Sequence, residues 1–502
     1  MRQWFYLLVL VMGFVCIPTL KVNGEVIVQP KIVQAAEGVF SKETLSQVFV
    51  GSGLLKTAPH IMDMIKPLIK GLHGEKSSNI PETLPELPYL LIGLPSEHLA
   101  LMQLKGDGRF KLPSSGLGKE GYLLDITPQH IHLTADSPEG IFYGVLYLIQ
   151  RLESEAAKTG IPCGKIADWA TLRWRGVHIL FNGRQDVPQI ERLLTEFMPR
   201  LRLNQLIIEI NYFFDYKSHP EVAAQNPLTR VDCQHLRELA QKNFIRIIPM
   251  LNCMGHQSWA KTTMSLLTTH PEFDETPNAP KDNTGLYCRS WCPSHPSISK
   301  FVSDLCDELI DAFHAGAFHV GMDEVFLIGK CPRCKGKDPA DLFAKAVNDL
   351  HKHLVGKRKV EMYLWGDRLL DGVGMKLGEW EASTNGTAPA IDKIAKDIVI
   401  CDWHYELPDD FPSIAHLQQH GFRVIPSGWN LKESVKRFLG VGLKLQGAKL
   451  PGYLATTWTS AGGVVEGLLG VKAAREEGEK ENKNADLPGA IRLGAKMAWE
   501  GR

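Results

Sequence analysis

The chain has 502 residues, 44% of them hydrophobic and 22% charged, which is enough to bury a large core and excludes a disordered chain. Its 56 basic side chains are matched by 56 acidic ones, so the totals give no basis for a nucleic-acid or charged-membrane partner. A neutral substrate fits this balance.

The first residues carry Arg2, an apolar run from Trp4 to Cys16, and small residues ending at Asn23-Gly24. A short apolar core behind a basic start reads as a secretory signal cut after Gly24, with an uncleaved anchor as the alternative. Either way the remainder is expected outside the cytoplasm: periplasmic, on the cell surface or secreted. No later segment is long and apolar enough to span a membrane.

Residues 25–167 mix short alternating segments with helical ones. Tyr89–Ile92, Gly121–Ile126 and Ile131–Ala135 read as strands, Gly140–Leu152 as a helix, and Gly71–Pro88 as a polar, proline-rich loop. This pattern predicts a small α+β domain with an antiparallel sheet.

From residue 168 the pattern becomes apolar strands separated by helices. Predicted strands are Trp174–Leu180, Gln205–Asn211, Arg246–Asn252, Phe318–Glu324, Val360–Asp367, Ile398–Tyr405, Arg423–Trp429 and Tyr453–Thr459. Helices are predicted over Ile190–Leu201, Gln234–Asn243, Ile298–Ala315 and Pro339–Leu354. Such repetition predicts an α/β fold, a closed (β/α)8 TIM barrel over 168–502. An open doubly wound sheet fits less well, because no glycine-rich phosphate turn follows the first strand. The charged stretch Arg475–Asp486 reads as solvated surface, and Leu487–Trp499 as a closing C-terminal helix.

Barrel enzymes place reacting groups at the C-terminal strand ends. There the sequence offers Glu209 and Asn211, Gly255-His256, Asp323-Glu324, Trp365 with Asp367, Trp403 with Tyr405, Trp429 and Trp458. Four tryptophans near consecutive strand ends suit a sugar, whose C–H faces are apolar and whose edges need polar partners. Two-carboxylate glycosidases draw their acids from different strands. No second strand end matches the Asp323-Glu324 pair, although Glu209, Asp215, Asp367 and Glu379 are available. Substrate-assisted hydrolysis removes the need for a second acid, since a 2-acetamido oxygen serves as nucleophile.

The run His319-Val320-Gly321-Met322-Asp323-Glu324 resembles the His-x-Gly-x-Asp-Glu signature of glycoside hydrolase family 20, the β-N-acetylhexosaminidases. Trp174-Arg175-Gly176, Gly255-His256 and Trp458 support the resemblance. Pro30-Lys31, Gly121-Tyr122 and Gly140-Ile141-Phe142-Tyr143-Gly144 are similar to the family's accessory domain. The resemblance implies that Glu324 is the general acid and base, that Asp323 holds the acetamido N–H, and that Tyr405 donates to the acetamido oxygen. It also implies that Trp365, Trp403, Trp429 and Trp458 wall the sugar pocket, that Arg175 and Asp367 bind substrate, and that His256 lies beside the acid. An exo-acting, retaining enzyme on terminal β-linked GlcNAc or GalNAc of a glycan follows, with no metal needed for catalysis. A glycosidase of other specificity, including a disaccharide-releasing one, and a silent glycan-binding protein are the alternatives. The chain departs from the family pattern at His178–Asn182, at Glu209–Tyr212 and at Ser460, which bears on recognition of the hydroxyls.

Cys163, Cys233, Cys253, Cys306 and Cys401 stand singly in apolar or helical surroundings and read as small core residues. Cys331-Pro332-Arg333-Cys334 and Cys288-Arg289-Ser290-Trp291-Cys292 lie in neighbouring barrel loops. Together they form a four-cysteine structural zinc site, form disulfides or remain free thiols; the spacing allows each.

Overall fold

The computed structural model describes residues 28–41, 43–69, 76–77, 80–153, 160–408, 410–445, 447, 449–471 and 485–502. The signal expected over 1–24 and most of the charged stretch 475–486 lie outside the described residues.

The first domain is built on strands β1 (Ile32–Phe40), β2 (Gln47–Val50), β3 (Lys76–Ser77), β4 (Tyr89–Gly93), β5 (Tyr122–Ile126), β6 (His130–Thr134) and β7 (Ile161–Asp168). Among the described residues they form one sheet in the order β1-β7-β5-β6-β4-β2-β3. The expectation of an antiparallel sheet holds from β1 to β6 and fails beyond it, where β6-β4, β4-β2 and β2-β3 pair in parallel. Connection length decides this. Helical segments between β2 and β3 return the chain in the same direction, whereas the chain reverses between β4 and β5 and again at the short turn from β5 to β6, which leaves β6 parallel to β4. Strand β3 also falls inside the stretch read as a loop.

Helix Pro138–Glu153 packs on β5 and β6 and buries Ile141, Phe142, Val145 and Leu148. Its glycines permit that approach: a Cβ on Gly140 would sit 2.3 Å from the Gly121 carbonyl oxygen, and one on Gly144 2.4 Å from Leu133.

The second domain is a closed barrel of parallel strands, β8 (Trp174–Leu180), β9 (Gln205–Glu209), β10 (Arg246–Cys253), β13 (Ala317–Gly321), β14 (Glu361–Trp365), β15 (Val399–Trp403), β16 (Arg423–Gly428) and β17 (Gly452–Ala455). A small hairpin, β11 (Ser258–Trp259) with β12 (Thr262–Thr263), decorates the mouth after β10. Each barrel strand coincides with one read from the sequence. Several stop short of the expected end, because Gly321, Met322, Glu324 and Trp458 have φ of +65°, +69°, +49° and +50° and leave the extended conformation.

The lumen departs from the branched aliphatics expected of such barrels. Trp174, Tyr363, Trp365 and Trp403 join Ile207, Ile248, Met250 and Leu454 inside it, with Trp174 stacked on Tyr363 at 6.0 Å.

At the opposite, N-terminal end of the barrel lies the seam with the first domain, and Arg175 belongs there. Its side chain is fully buried, and its guanidinium donates to both Glu120 oxygens at 2.8 and 2.7 Å and to the Arg202 carbonyl at 2.6 Å. It also lies 5.0 Å from the Trp499 ring. Arg175 is therefore a domain clamp, and the expectation that it binds sugar is corrected: it sits at the start of β8, whereas the site opens past the end. Helix Leu487–Glu500 completes the seam, with Trp499 donating to Asp168 at 2.9 Å.

Candidate active site

Strand alternation would send the side chains of Asp323 and Glu324 apart. Instead both reach one imidazole, His256 Nε2, at 3.3 Å from Asp323 Oδ2 and 3.2 Å from Glu324 Oε2. The left-handed φ of Glu324 and of His256 itself, +49° and +54°, turns these residues toward each other. Close packing holds the turn, since a Cβ on Gly255 would lie 2.6 Å from the Asp323 carbonyl oxygen. Left-handed non-glycine residues also occur at Asn211, Met254, Met322 and Trp458, so backbone strain gathers around the mouth.

Burial works against a charged His256. The Asp323 charge and the close approach of both carboxylates outweigh it and raise the imidazole well above its ordinary range. Burial likewise opposes ionised Asp323, but the facing His256 holds its carboxyl below the usual value. Asp323 Oδ1 is buried with no partner within the protein, so one lone-pair face is left for a ligand N–H.

Behind Glu324, its backbone N–H donates to Asp367 Oδ2 at 2.8 Å, and Arg368 Nε donates to the same oxygen at 2.7 Å. Asp367 is 1% exposed. Burial pushes its pKa up to about 6 despite Arg368, with Asp323 adding repulsion. The structure thus gives Asp367 Oδ2 the task of positioning Glu324, while its Oδ1 is buried with no partner within the protein. Tyr287, which the sequence reading missed, hydrogen-bonds Glu324, and burial together with that carboxylate raises its phenol. Its ring meets Trp380, Trp259 and Phe326 edge-on at 4.7, 5.7 and 5.7 Å. Trp259 and Trp380 are among the exposed large side chains, so they form an aromatic rim.

The tryptophans divide by depth. Trp365 and Trp403 end β14 and β15 inside the lumen, each with a buried Nε1–H lacking a partner. Trp429 and Trp458 lie just past their strands and are half-buried. Trp365 packs 4.5 Å from His319, whose pKa burial lowers to about 3, so this imidazole is neutral. Tyr405 stacks on Trp403 at 5.0 Å. Its oxygen accepts from Trp458 Nε1 at 2.9 Å and lies 3.0 Å from Thr456 Oγ1, whose hydroxyl also reaches the Gly428 carbonyl at 2.8 Å.

A buried ion group sets Tyr405. Glu381 accepts from the Tyr405 backbone N–H at 2.9 Å and contacts His404 Nδ1 at 2.9 Å, while His404 Nε2 faces Asp402 at 3.3 Å. Burial opposes the cation, yet Asp402 and Glu381 raise His404 to about 9. The altered strands form a second network: Glu209 contacts His178 Nε2 at 3.2 Å and accepts from Asn211 and Asn252 at 2.8 and 3.0 Å. His178 in turn packs edge-on against Trp458 at 4.9 Å.

The cysteines separate. Cys292, Cys331 and Cys334 come together with Glu275, whereas Cys288 lies apart, its Sγ 3.5 Å from the Glu324 carbonyl oxygen. The four-cysteine set is thus corrected to three cysteines and a glutamate.

Comparison with known proteins agrees with this fold. Residues 213–431 match the catalytic domain of glycosyl hydrolase family 20, and residues 24–169 match domain 2 of the same family. The chain is 26% identical over 245 residues to a beta-hexosaminidase of Akkermansia muciniphila, covering 44% of this chain and 48% of that protein. It is 23% identical over 304 residues to one of Porphyromonas gingivalis, covering 55% of this chain and 37% of that protein. The matched segments thus span half or less of these relatives. Among solved structures, a beta-N-acetylhexosaminidase from Bacteroides fragilis superposes with TM-score 0.64 at 16% identity, covering 94% of this chain and 90% of that one. An N-acetyl-beta-hexosaminidase from Streptomyces plicatus gives 0.61 at 16% identity, with 94% and 90% covered. Fold, domain order and paired family matches agree, and the chain belongs to glycoside hydrolase family 20.

Proposed function

We propose that this protein is an exo-acting β-N-acetylhexosaminidase that releases terminal β-linked GlcNAc or GalNAc from glycans by retaining, substrate-assisted catalysis. One observation carries the reading: Asp323 and Glu324 share His256, while the other candidate carboxylates are committed elsewhere. Glu209 is held by His178, Asn211 and Asn252, and Asp367 by Arg368 and the Glu324 amide. Asp215 pairs with Lys217, and Glu379 is exposed. With no free carboxylate opposite the acid among the described candidates, the acetamido group of the substrate supplies the nucleophile.

The steps then follow. The acetamido oxygen attacks C1 as the C1–O bond to the leaving group breaks, and Glu324 gives its proton to the departing oxygen. The imidazolium of His256, 3.2 Å from Glu324 Oε2, is a proton source for that carboxylate. Asp323 Oδ1 accepts the acetamido N–H and its charge stabilises the oxazolinium ion, while the O–H of Tyr405 donates to the attacking oxygen. Water then attacks C1 as the C1–O bond of the oxazolinium ring breaks and the acetamido group is regenerated, the water loses a proton to the Glu324 carboxylate, and two inversions retain the β configuration. The rim of Trp259, Tyr287 and Trp380 offers apolar faces for the sugar or aglycone beyond the cleaved bond.

Nitrophenol release from N-acetyl-β-glucosaminide, N-acetyl-β-galactosaminide and plain β-glucoside tests this, with Glu324→Gln beside the wild type. Expected are turnover of the acetamido sugars only and a loss of ~10²–10⁴-fold in the variant. Equal turnover of the plain glucoside would overturn the mechanism.

A further inference from the structure

We propose that Glu275, Cys292, Cys331 and Cys334 bind one zinc ion that ties two active-site loops together. Their ligand atoms all lie within 4.8 Å of one another, and all four residues are buried. The sulfur of Cys292 is 3.3 Å from that of Cys331 and 3.5 Å from that of Cys334. Those separations far exceed a disulfide bond of about 2.0 Å. They approach the edge of a tetrahedron with Zn–S bonds of about 2.3 Å, which is roughly 3.8 Å.

The carboxylate supplies an independent pointer. Glu275 Oε1 accepts from the Lys330 amide at 2.8 Å, but Oε2 is buried with no partner. A buried acceptor facing only weak S–H donors is costly unless a cation completes the shell. Soft thiolates with one carboxylate favour zinc over calcium or magnesium. Three thiolates and a carboxylate exceed the charge of a divalent ion, and Lys330, Arg333, Lys335 and Lys337 flank the site in the same loop. Binding releases thiol protons, so affinity should rise with pH.

The local backbone is shaped for the purpose. Cys331 and Cys334 sit on one tight turn, whose amides at Cys334 and Lys335 donate to the Cys331 carbonyl at 3.0 and 2.8 Å. Opposite it, Glu275 N–H donates to the Ser290 carbonyl at 2.9 Å and Cys292 N–H to that of Phe273 at 2.6 Å, so the ends of the loop after β10 are already paired. Between those ends lie Tyr287, bonded to Glu324, and Cys288, against the Glu324 carbonyl. The ion would therefore fix the loop bearing Tyr287 to the loop that leaves Glu324. This assignment stands whether or not the proposed reaction is right, because its readout is metal content.

The full chain, purified without added zinc or chelator, is analysed for metals by mass spectrometry beside Cys292→Ser, Glu275→Gln and Cys288→Ser. The expected result is one zinc per chain in the wild type and in Cys288→Ser, with most of it lost in the other two. Should Cys292→Ser fail to fold, a mercurial titration of the wild type replaces it, and release of one zinc as three thiols react is expected. A metal-free wild type, an intact mass showing a disulfide among these cysteines, or zinc lost equally from Cys288→Ser would overturn the proposal.

Discussion

At the scale of single residues, the hydroxyl of Tyr405 and the ion group behind it carry separable consequences. Tyr405→Phe removes one donor aimed at charge that develops in the transition state, and kcat on acetamido substrates should fall ~10²-fold. An unchanged kcat would remove Tyr405 from the reaction. His404 is raised from 6.5 to about 9 by Asp402 and Glu381, against the cost of burial. The folded state therefore binds the proton more tightly than the unfolded one. That stabilisation is complete below pH 6.5 and is lost as pH rises toward about 9, a contribution on the order of 3 kcal/mol. Thermal melts across this window should fall steadily in the wild type. In His404→Gln the melting temperature should be lower throughout and its slope flatter, and an equal slope would refute the assignment. Asp323, Glu324 and His256 were legible in the sequence because a short apolar run and a glycine marked where strands end. Tyr287 and Glu381 were not, since each sits in an irregular loop with no periodicity to point at the site.

At the scale of elements, the eight barrel strands were readable because buried parallel strands are near-continuous apolar runs. Their ends were not, because left-handed residues at Met322, Glu324 and Trp458 cut the extended conformation short. Arg175 shows the same limit in another form. The sequence assigns it to a strand, but its partner Glu120 lies 55 positions away in the other domain. Glu120→Gln leaves a buried guanidinium half-paired and should cost roughly 3 kcal/mol in chemical denaturation. Its KM for a nitrophenyl N-acetylhexosaminide should stay at the wild-type value, since the clamp lies at the far end of the barrel. A raised KM with unchanged stability would return Arg175 to the substrate. The first domain's sheet was half legible: the β5–β6 hairpin declared itself, whereas the parallel pairing of β4 depends on crossovers no local pattern reveals.

At the scale of the whole molecule, a two-domain chain places one proton-sharing trio at a barrel mouth lined with indoles and backs it with a cysteine-rich loop junction. In the proposed mechanism the substrate's own acetamido group attacks C1, and the nucleophilicity of that group can be varied without touching the protein. Nitrophenyl β-glucosaminides bearing N-acetyl, N-fluoroacetyl, N-difluoroacetyl and N-trifluoroacetyl groups are hydrolysed in parallel and kcat is compared. Each added fluorine withdraws electrons from the attacking oxygen, so kcat should fall steeply and in order along the series. A kcat that stays level or rises with fluorination would contradict participation by the substrate.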